Sequence, residues 1–122
     1  MRSGWLIVAA AVVACASAAQ AGDAVRGEQK FTECAACHSV NSGSNNVGPS
    51  LHAVMGRKAG TLDDFRYSPA MKRSGIVWTA ESLDAFLADP QKAVPANRMP
   101  YAGLTDAGER GDLISYLEKA TK

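Results

Sequence analysis

Two cysteines and a histidine lie within the five residues Cys34-Ala35-Ala36-Cys37-His38. Side chains three and four positions apart lie on one face of a helical turn, so Cys34, Cys37 and His38 share a face. This C-x-x-C-H pattern is typical of covalent c-type haem attachment, in which each thiol adds to a vinyl group of the haem. The imidazole that follows then reaches the iron from the same side. A chain with such a site has to fold around a large flat cofactor.

A disulfide and a zinc site are the alternatives for the same residues. Small secreted domains often contain disulfides, but a bridge between Cys34 and Cys37 leaves His38 unexplained. A structural zinc ion takes about four nitrogen, sulfur or oxygen ligands. His52 is the only other histidine, and the one further cysteine, Cys15, precedes the predicted domain. These counts favour haem over zinc.

The first 21 residues predict a cleaved signal peptide. Arg2 precedes an apolar run from Trp5 to Val13, and Ala19-Gln20-Ala21 matches the A-x-A cleavage pattern of secreted proteins. The apolar run is shorter than the roughly 20 residues that a transmembrane helix requires. We therefore expect export without stable membrane insertion.

Cys15 leaves a second possibility for the leader. The stretch Val12-Val13-Ala14-Cys15 loosely resembles a bacterial lipobox, which would leave the protein lipid-anchored.

After cleavage at Ala21, residues 22–122 are expected to form one domain in the bacterial periplasm. Without Arg2 the chain has 12 basic and 12 acidic side chains, so its charge gives no reason to expect nucleic acid binding.

Apolar periodicity and capping residues predict an all-α fold of about five short helices joined by long loops. Gly27 and Phe31 share a face of the first helix, and Leu113, Tyr116 and Leu117 share a face of the last. No segment alternates as a strand would. Such short helices need a large group at the centre of the core. The predicted helical segments begin near Asp23, Ser50, Pro69, Thr79 and Thr105-Asp106, and the fourth ends at Asp89-Pro90.

Taken in order, the motifs of residues 23–120 resemble those of the class I cytochromes c, specifically the short, mitochondrial-like bacterial type. The resemblance implies one haem c per chain, bound covalently through Cys34 and Cys37, with the N- and C-terminal helices crossing. Besides the C-x-x-C-H segment, it is carried by Gly27 and Phe31, Val47-Gly48-Pro49-Ser50-Leu51-His52, Gly56-Arg57-Lys58-Ala59-Gly60, Tyr67-Ser68-Pro69-Ala70-Met71, Trp78, Asn97-Arg98-Met99-Pro100-Tyr101-Ala102-Gly103 and Leu113-Ile114-Ser115-Tyr116-Leu117.

The resemblance implies that His38 is the proximal iron ligand and Met99 the distal one. Met99 lies in a loop bounded by proline, whereas the other methionines lie in the leader or near short predicted helices. His52 offers a nitrogen alternative, but the family places that segment on the proximal side. There the carbonyl of Pro49 would accept the ring N–H of His38 and fix its orientation.

Arg57, Tyr67 and Trp78 resemble the group that hydrogen-bonds a buried haem propionate in this family. With His38 and Met99 both on the iron, no coordination position remains for a substrate. We therefore expect a soluble, monomeric electron carrier that is not an enzyme and that docks transiently with redox proteins at the exposed haem edge. A haem enzyme or gas-binding protein would need an accessible iron, and a dedicated donor or acceptor of one periplasmic oxidoreductase stays open.

The expected docking surface departs from the mitochondrial pattern of a lysine ring. Glu33, Gln91 and Thr105-Asp106-Ala107 occupy positions that are usually basic. The basic residues that remain near this surface are Lys58, Lys72, Lys92 and Arg98. We therefore expect docking to depend only weakly on salt.

Overall fold

A computed structural model describes residues 22–122, and the predicted leader with Cys15 lies outside these residues. The helices are α1 (Ala24–Phe31), α2 (Pro69–Arg73), α3 (Ala80–Ala88), α4 (Pro90–Ala93) and α5 (Ala107–Ala120). In this part of the chain the only β pairing is an isolated antiparallel bridge between Lys58 and Val77. None of the described helices is long and apolar enough to cross a membrane. The predicted all-α fold is confirmed.

The three longer helices begin at predicted capping residues. The Asp23 side chain accepts hydrogen bonds from the first amides of α1, and the Asp106 side chain does the same for α5. At α3 the cap is reciprocal, because Thr79 accepts from the amide of Ser82 while the Ser82 hydroxyl accepts from the amide of Thr79. These bonds satisfy amides that have no partner inside the helix.

Two short segments differ from the prediction. Pro90 ends α3 as expected, but it also begins α4, because its fixed φ suits a first helical turn and its missing N–H is not needed there. The Asp89 side chain caps this helix by accepting from the amide of Lys92. Residues 52 and 53 form a turn, and residues 50–54 do not form the short helical turn predicted from Ser50. Ala53 has a φ of 55°, in the left-handed region, and this interrupts any right-handed helical turn.

The two terminal helices, α1 and α5, pack against each other as predicted. Gly27 lies against the backbone carbonyl of Asp112, and a Cβ atom added at Gly27 would lie 2.8 Å from the Cβ of Tyr116. The rings of Phe31 and Tyr116 stack at a tilt, with centroids 5.2 Å apart. A side chain at position 27 would therefore force the helices apart.

Asp112 ties α5 to the start of α1. Its carboxylate accepts from the amide of Asp23 at 2.7 Å and from Nε of Arg26 at 2.9 Å. The Arg26 hydrogen bond, followed by the Asp23 amide, holds the pKa of Asp112 below its usual value, although burial opposes this. The bonds therefore contribute stability above the ordinary pKa of an aspartate. That contribution is lost as the pH falls through the lowered pKa of the folded protein.

We predict that Gly27→Ala lowers the free energy of unfolding by about 1–3 kcal/mol, because the added methyl group overlaps the α5 backbone. Gly111→Ala is the matched control, since a Cβ atom at Gly111 in α5 meets nothing within 4 Å. It should stabilise the protein by about 0.5–1 kcal/mol through helix propensity. Denaturant unfolding of both variants measures the difference, and equal effects would exclude a close contact at Gly27.

Candidate haem site

A cavity of about 300 Å³ brings all of the predicted site residues together. Its remaining wall is largely apolar and includes Phe31 of α1, Phe86 of α3 and Leu113 of α5. An apolar cavity with a few converging polar groups is the usual form of a cofactor site. The predicted residues on its wall are Cys34, Cys37, His38, Pro49, Arg57, Tyr67, Trp78 and Met99.

The attachment segment continues directly from α1 as a series of helical turns. The amides of Cys34 and Ala35 donate to the carbonyl of Phe31, at 2.8 and 2.9 Å. The amides of Cys37 and His38 then both donate to the carbonyl of Cys34, at 3.0 and 2.9 Å. These bonds keep both thiols and the imidazole on one face, which is the arrangement that the spacing predicts.

Cys34 and Cys37 are free, partly buried thiols. Burial, followed by the charges of Glu33 and Cys37, raises the pKa of the Cys34 thiol to about 11. Cys34 is therefore a protonated thiol at neutral pH in the absence of a covalent partner. Among residues 22–122, no three histidine, cysteine or acidic side chains converge closely enough to hold a metal ion.

The imidazole of His38 is oriented by the loop that follows it. Its Nδ1 lies 2.7 Å from the carbonyl oxygen of Pro49, and because a carbonyl only accepts, Nδ1 carries the proton. Burial lowers the pKa of His38 against the effect of this hydrogen bond, so the ring is neutral at neutral pH. Nε2 then has a free lone pair, which is what a metal ligand requires.

Gly48 permits the close approach of this loop to the ring. A Cβ atom at Gly48 would lie 2.5 Å from Cε1 and 2.9 Å from Nε2 of His38. Real side chains do not tolerate such distances, so the loop can hold His38 only with glycine at this position. The sequence motif Gly48-Pro49 therefore provides both the space and the acceptor.

Arg57 holds the same loop from its other end. Its two terminal nitrogens donate to the carbonyls of His52 and Ser50, both at 2.9 Å. A guanidinium has five N–H groups, so these two bonds leave three for an anionic group in the cavity. His52 does not lie on the cavity wall and contributes its backbone carbonyl, which leaves it a structural role.

The predicted propionate group is assembled by backbone pairing and burial. The amide of Trp78 donates to the carbonyl of Arg57 at 2.9 Å, which places these two residues side by side. Burial lowers the pKa of Arg57 and raises that of Tyr67, and the charges of the two residues oppose these shifts. Arg57 remains cationic and Tyr67 neutral at neutral pH. A cation, a hydroxyl and an indole therefore face the same cavity.

Met99 lies on the cavity wall and is held through its backbone. Its amide donates to the side-chain oxygen of Asn97 at 2.9 Å, and its carbonyl accepts from the amide of Tyr101 at 2.9 Å. The sequence prediction did not anticipate this role of Asn97. The signal was available, because asparagine side chains commonly accept from backbone amides a few residues away.

The rim of the cavity contains exposed residues, and two of them, Arg66 and Val47, were not assigned to the site or to its docking surface from the sequence. Arg66 and Val47 are on the cavity wall, and Val47 is 67% exposed. Arg98 and Glu33 are also exposed wall residues. The rim thus has charges of both signs beside an apolar side chain. No pattern in the sequence distinguishes Arg66 from any other exposed arginine.

The family model for cytochrome c matches residues 24–121, which is nearly the whole described part of the chain. The chain belongs to the cytochrome c family. As in the rest of this family, its cofactor is one covalently attached haem c, and it is an electron carrier rather than an enzyme.

Relatives from nematodes and bacteria match most of this cytochrome c. Cytochrome c 2.1 of Caenorhabditis elegans is 46% identical, covering 80% of this chain and 89% of its own. Cytochrome c2 of Blastochloris viridis is 44% identical over 95% of this chain and 89% of its own. The structure of cytochrome cH from Methylobacterium extorquens superposes with a TM-score of 0.75 at 43% identity, covering 80% of this chain and 99% of that one.

We predict that Arg57→Ala destabilises the haem-loaded protein by about 2–4 kcal/mol, because two backbone carbonyls lose charge-assisted hydrogen bonds. Arg57→Lys should recover less than half of this, since an ammonium lacks the planar fork that reaches both carbonyls. Arg73→Ala, at an exposed position that ends α2, is the control and should change stability by less than about 0.5 kcal/mol. Guanidinium unfolding measures all three, and full rescue by lysine would contradict the two-carbonyl role.

Proposed function

We propose that this cytochrome c is a soluble, monomeric carrier that transfers single electrons between redox proteins in the bacterial periplasm. In this proposal Cys34 and Cys37 would form the thioether bonds to the haem, and His38 and Met99 would bind its iron. The observation that supports it best is that both thiols, the neutral imidazole and the Met99 side chain line one apolar cavity. When bound, haem c supplies a one-electron Fe(III)/Fe(II) change.

The residues of the chain prepare the site for electron transfer by fixing the ligands. Pro49 and Gly48 hold the His38 ring with Nε2 free, and Asn97 holds the backbone of Met99. A thioether opposite an imidazole raises the reduction potential relative to two imidazoles. With His38 and Met99 both bound to the iron, no coordination position would be open to a substrate or a gas.

Arg57, Tyr67 and Trp78 would bind a haem propionate. The three N–H groups of Arg57 that are not used on carbonyls can neutralise a carboxylate, and the Tyr67 hydroxyl and the Trp78 indole can donate to it. Trp78 is also packed edge-on against Phe86, with ring centroids 5.1 Å apart, so its indole is fixed in place. Burial of this cluster strengthens its interaction with an anion.

Transient partners would dock where the haem edge reaches the surface. Ala35 and Ala36 on the attachment turn, Lys92 of α4 and the loop 99–103 frame this region. The small side chains of Ala35 and Ala36 and the exposed Val47 would allow close approach, and a small patch with a weak rim suits a complex that must dissociate quickly. Glu33 and Arg66 are both near the cavity, so the rim does not have a single sign of charge.

A dedicated role as the donor or acceptor of one periplasmic oxidoreductase is the second candidate. It is favoured by Glu33 and Gln91 at positions where a general mitochondrial-type carrier is basic. Rates of electron transfer to purified respiratory complexes and to periplasmic oxidoreductases would separate the two. A general carrier reacts with several partners at similar rates, whereas a dedicated one reacts fast with a single enzyme.

Periplasmic location is supported by the leader pattern in residues 1–21. The match to Blastochloris viridis cytochrome c2 covers 95% of this chain and therefore includes part of these residues. Cleavage after Ala21 gives a freely diffusing domain, and lipidation at Cys15 would instead anchor it. Mass spectrometry of the exported protein distinguishes the two, because only the second product retains residues 15–21 and a lipid.

We predict that Met99→Leu abolishes the sulfur-to-iron charge-transfer band of the oxidised protein. It should also lower the reduction potential and allow carbon monoxide to bind the reduced form, because the sixth position opens. Met71→Leu is the matched control, since Met71 lines the same cavity. It should keep the band. A high-potential, low-spin Met99→Leu protein would refute the ligand assignment.

We predict that electron transfer to an acidic partner slows less than about threefold between 50 and 200 mM salt, because the rim has mixed charge. The variant Glu33→Lys/Thr105→Lys places positive charge at two positions that depart from the usual lysine ring and leaves the Asp106 cap of α5 intact. It should react faster at low salt and lose that advantage as salt rises. A steep salt dependence of the unmodified protein would contradict this view of its docking surface.

A further inference from the structure

We propose that Gln91 and Asn97 are positioning residues that hold the Met99 segment in place by clamping it to α4. The proposal rests on the proposed function, in which Met99 is the distal ligand. It assigns the retention of Met99 on the iron to two side-chain amides, neither of which touches the iron.

Asn97 connects Met99 to α4 with every polar group of its side chain. Nδ2 donates to the carbonyls of Pro90 and Val94, at 2.8 and 2.9 Å. Oδ1 accepts from the amide of Met99 at 2.9 Å. Asn97 is only 7% exposed, so water cannot readily replace these bonds. Loss of the side chain would free the Met99 backbone and leave two buried carbonyls without these bonds.

Gln91 holds the neighbouring part of the loop from the outside. Its Oε1 accepts from the amide of Ala96 at 3.2 Å, and its Nε2 donates to the carbonyl of Asn97 at 3.0 Å. The two bonds therefore bracket residues 96 and 97, just before Met99. Both start from α4, the same helix whose Pro90 carbonyl receives the Asn97 side chain.

The backbone conformation of Ala96 explains why the loop needs the hydrogen bonds from Gln91. The φ of Ala96 is 68°, in the left-handed region that alanine adopts only at a steric cost. Ala96 is exposed, and its amide is the group that Gln91 binds. Without Gln91, Ala96 would relax toward ordinary φ values and displace the chain that leads to Met99. The clamp thus opposes a strain located three residues from the ligand.

The test measures the displacement of Met99 by imidazole added to the oxidised, haem-loaded protein. Gln91→Ala should bind imidazole about tenfold faster, since both bracketing bonds are lost. Gln29→Ala on the exposed side of α1 is the matched control and should remain within twofold of the unmodified protein. Gln91→Glu keeps the acceptor but loses the donor, so its rate should fall between the two.

Ala96→Gly tests the strain directly, because glycine adopts this φ without cost. The double variant Gln91→Ala/Ala96→Gly should return most of the way to the rate of the unmodified protein. Guanidinium unfolding is measured in parallel, and a general structural role would change the imidazole rate only in proportion to global stability. Asn97→Ala should speed imidazole binding more than Gln91→Ala does. If Asn97→Ala does not fold, Gln91→Ala and Gln91→Glu still test the clamp.

The outcomes separate this inference from the function on which it rests. If the unmodified protein lacks the sulfur-to-iron band, the Met99 ligation and the clamp are both wrong. If the band is present but Gln91→Ala behaves like Gln29→Ala, the clamp alone is wrong. The clamp is also wrong if Ala96→Gly changes the imidazole rate equally in the presence and in the absence of the Gln91 side chain. Gln91 would then not restrain Ala96.

Discussion

The contact between α1 and α5 at Gly27 determines where the rest of the site can lie. Because the attachment turns continue α1 without a break, the position of this helix fixes the direction of both thiols and of His38. A helix of eight residues is too short to be stable alone, so its place depends on packing against α5. Gly27 makes that packing close, and Asp112 secures the first turn. The haem-attachment chemistry therefore depends on a backbone contact between the two ends of the domain.

The long loops of this protein depend on side chains for their hydrogen bonds. Between α1 and α2 the described chain contains only turns and one end of an isolated bridge, so many backbone carbonyls lack a regular partner. Arg57 satisfies two of these carbonyls, and Ser50 satisfies another by donating from its hydroxyl to Asn41. Side chains of this kind supply the hydrogen bonds that a neighbouring strand would supply in a β-sheet. They also explain how a chain with little secondary structure can hold a precise cavity.

Much of the fold and most of the site could be predicted from local patterns. A capping aspartate, a pair of residues on one helix face and the C-x-x-C-H spacing each act over a few positions, so the sequence displays them directly. The start of α4 at Pro90 was missed because proline both ends one helix and suits the first turn of another. The left-handed φ of Ala53 and Ala96 could not be predicted, since alanine normally favours right-handed conformations. There the surrounding loop overrides the preference of the residue.

The two loops that hold the proposed iron ligands, His38 and Met99, are both restrained by hydrogen bonds from polar side chains. His38 is oriented by a backbone carbonyl, and the loop that supplies it is held by the guanidinium of Arg57. Met99 is held through its amide by Asn97, whose own carbonyl is bound by Gln91. In each case a polar side chain away from the proposed ligand atoms restrains a loop backbone. An electron carrier benefits from this arrangement, because ligands that move little between oxidation states lower the reorganisation that accompanies each transfer. These restraints leave Nε2 of His38 and the sulfur of Met99 free to bind a metal, as the proposed function requires.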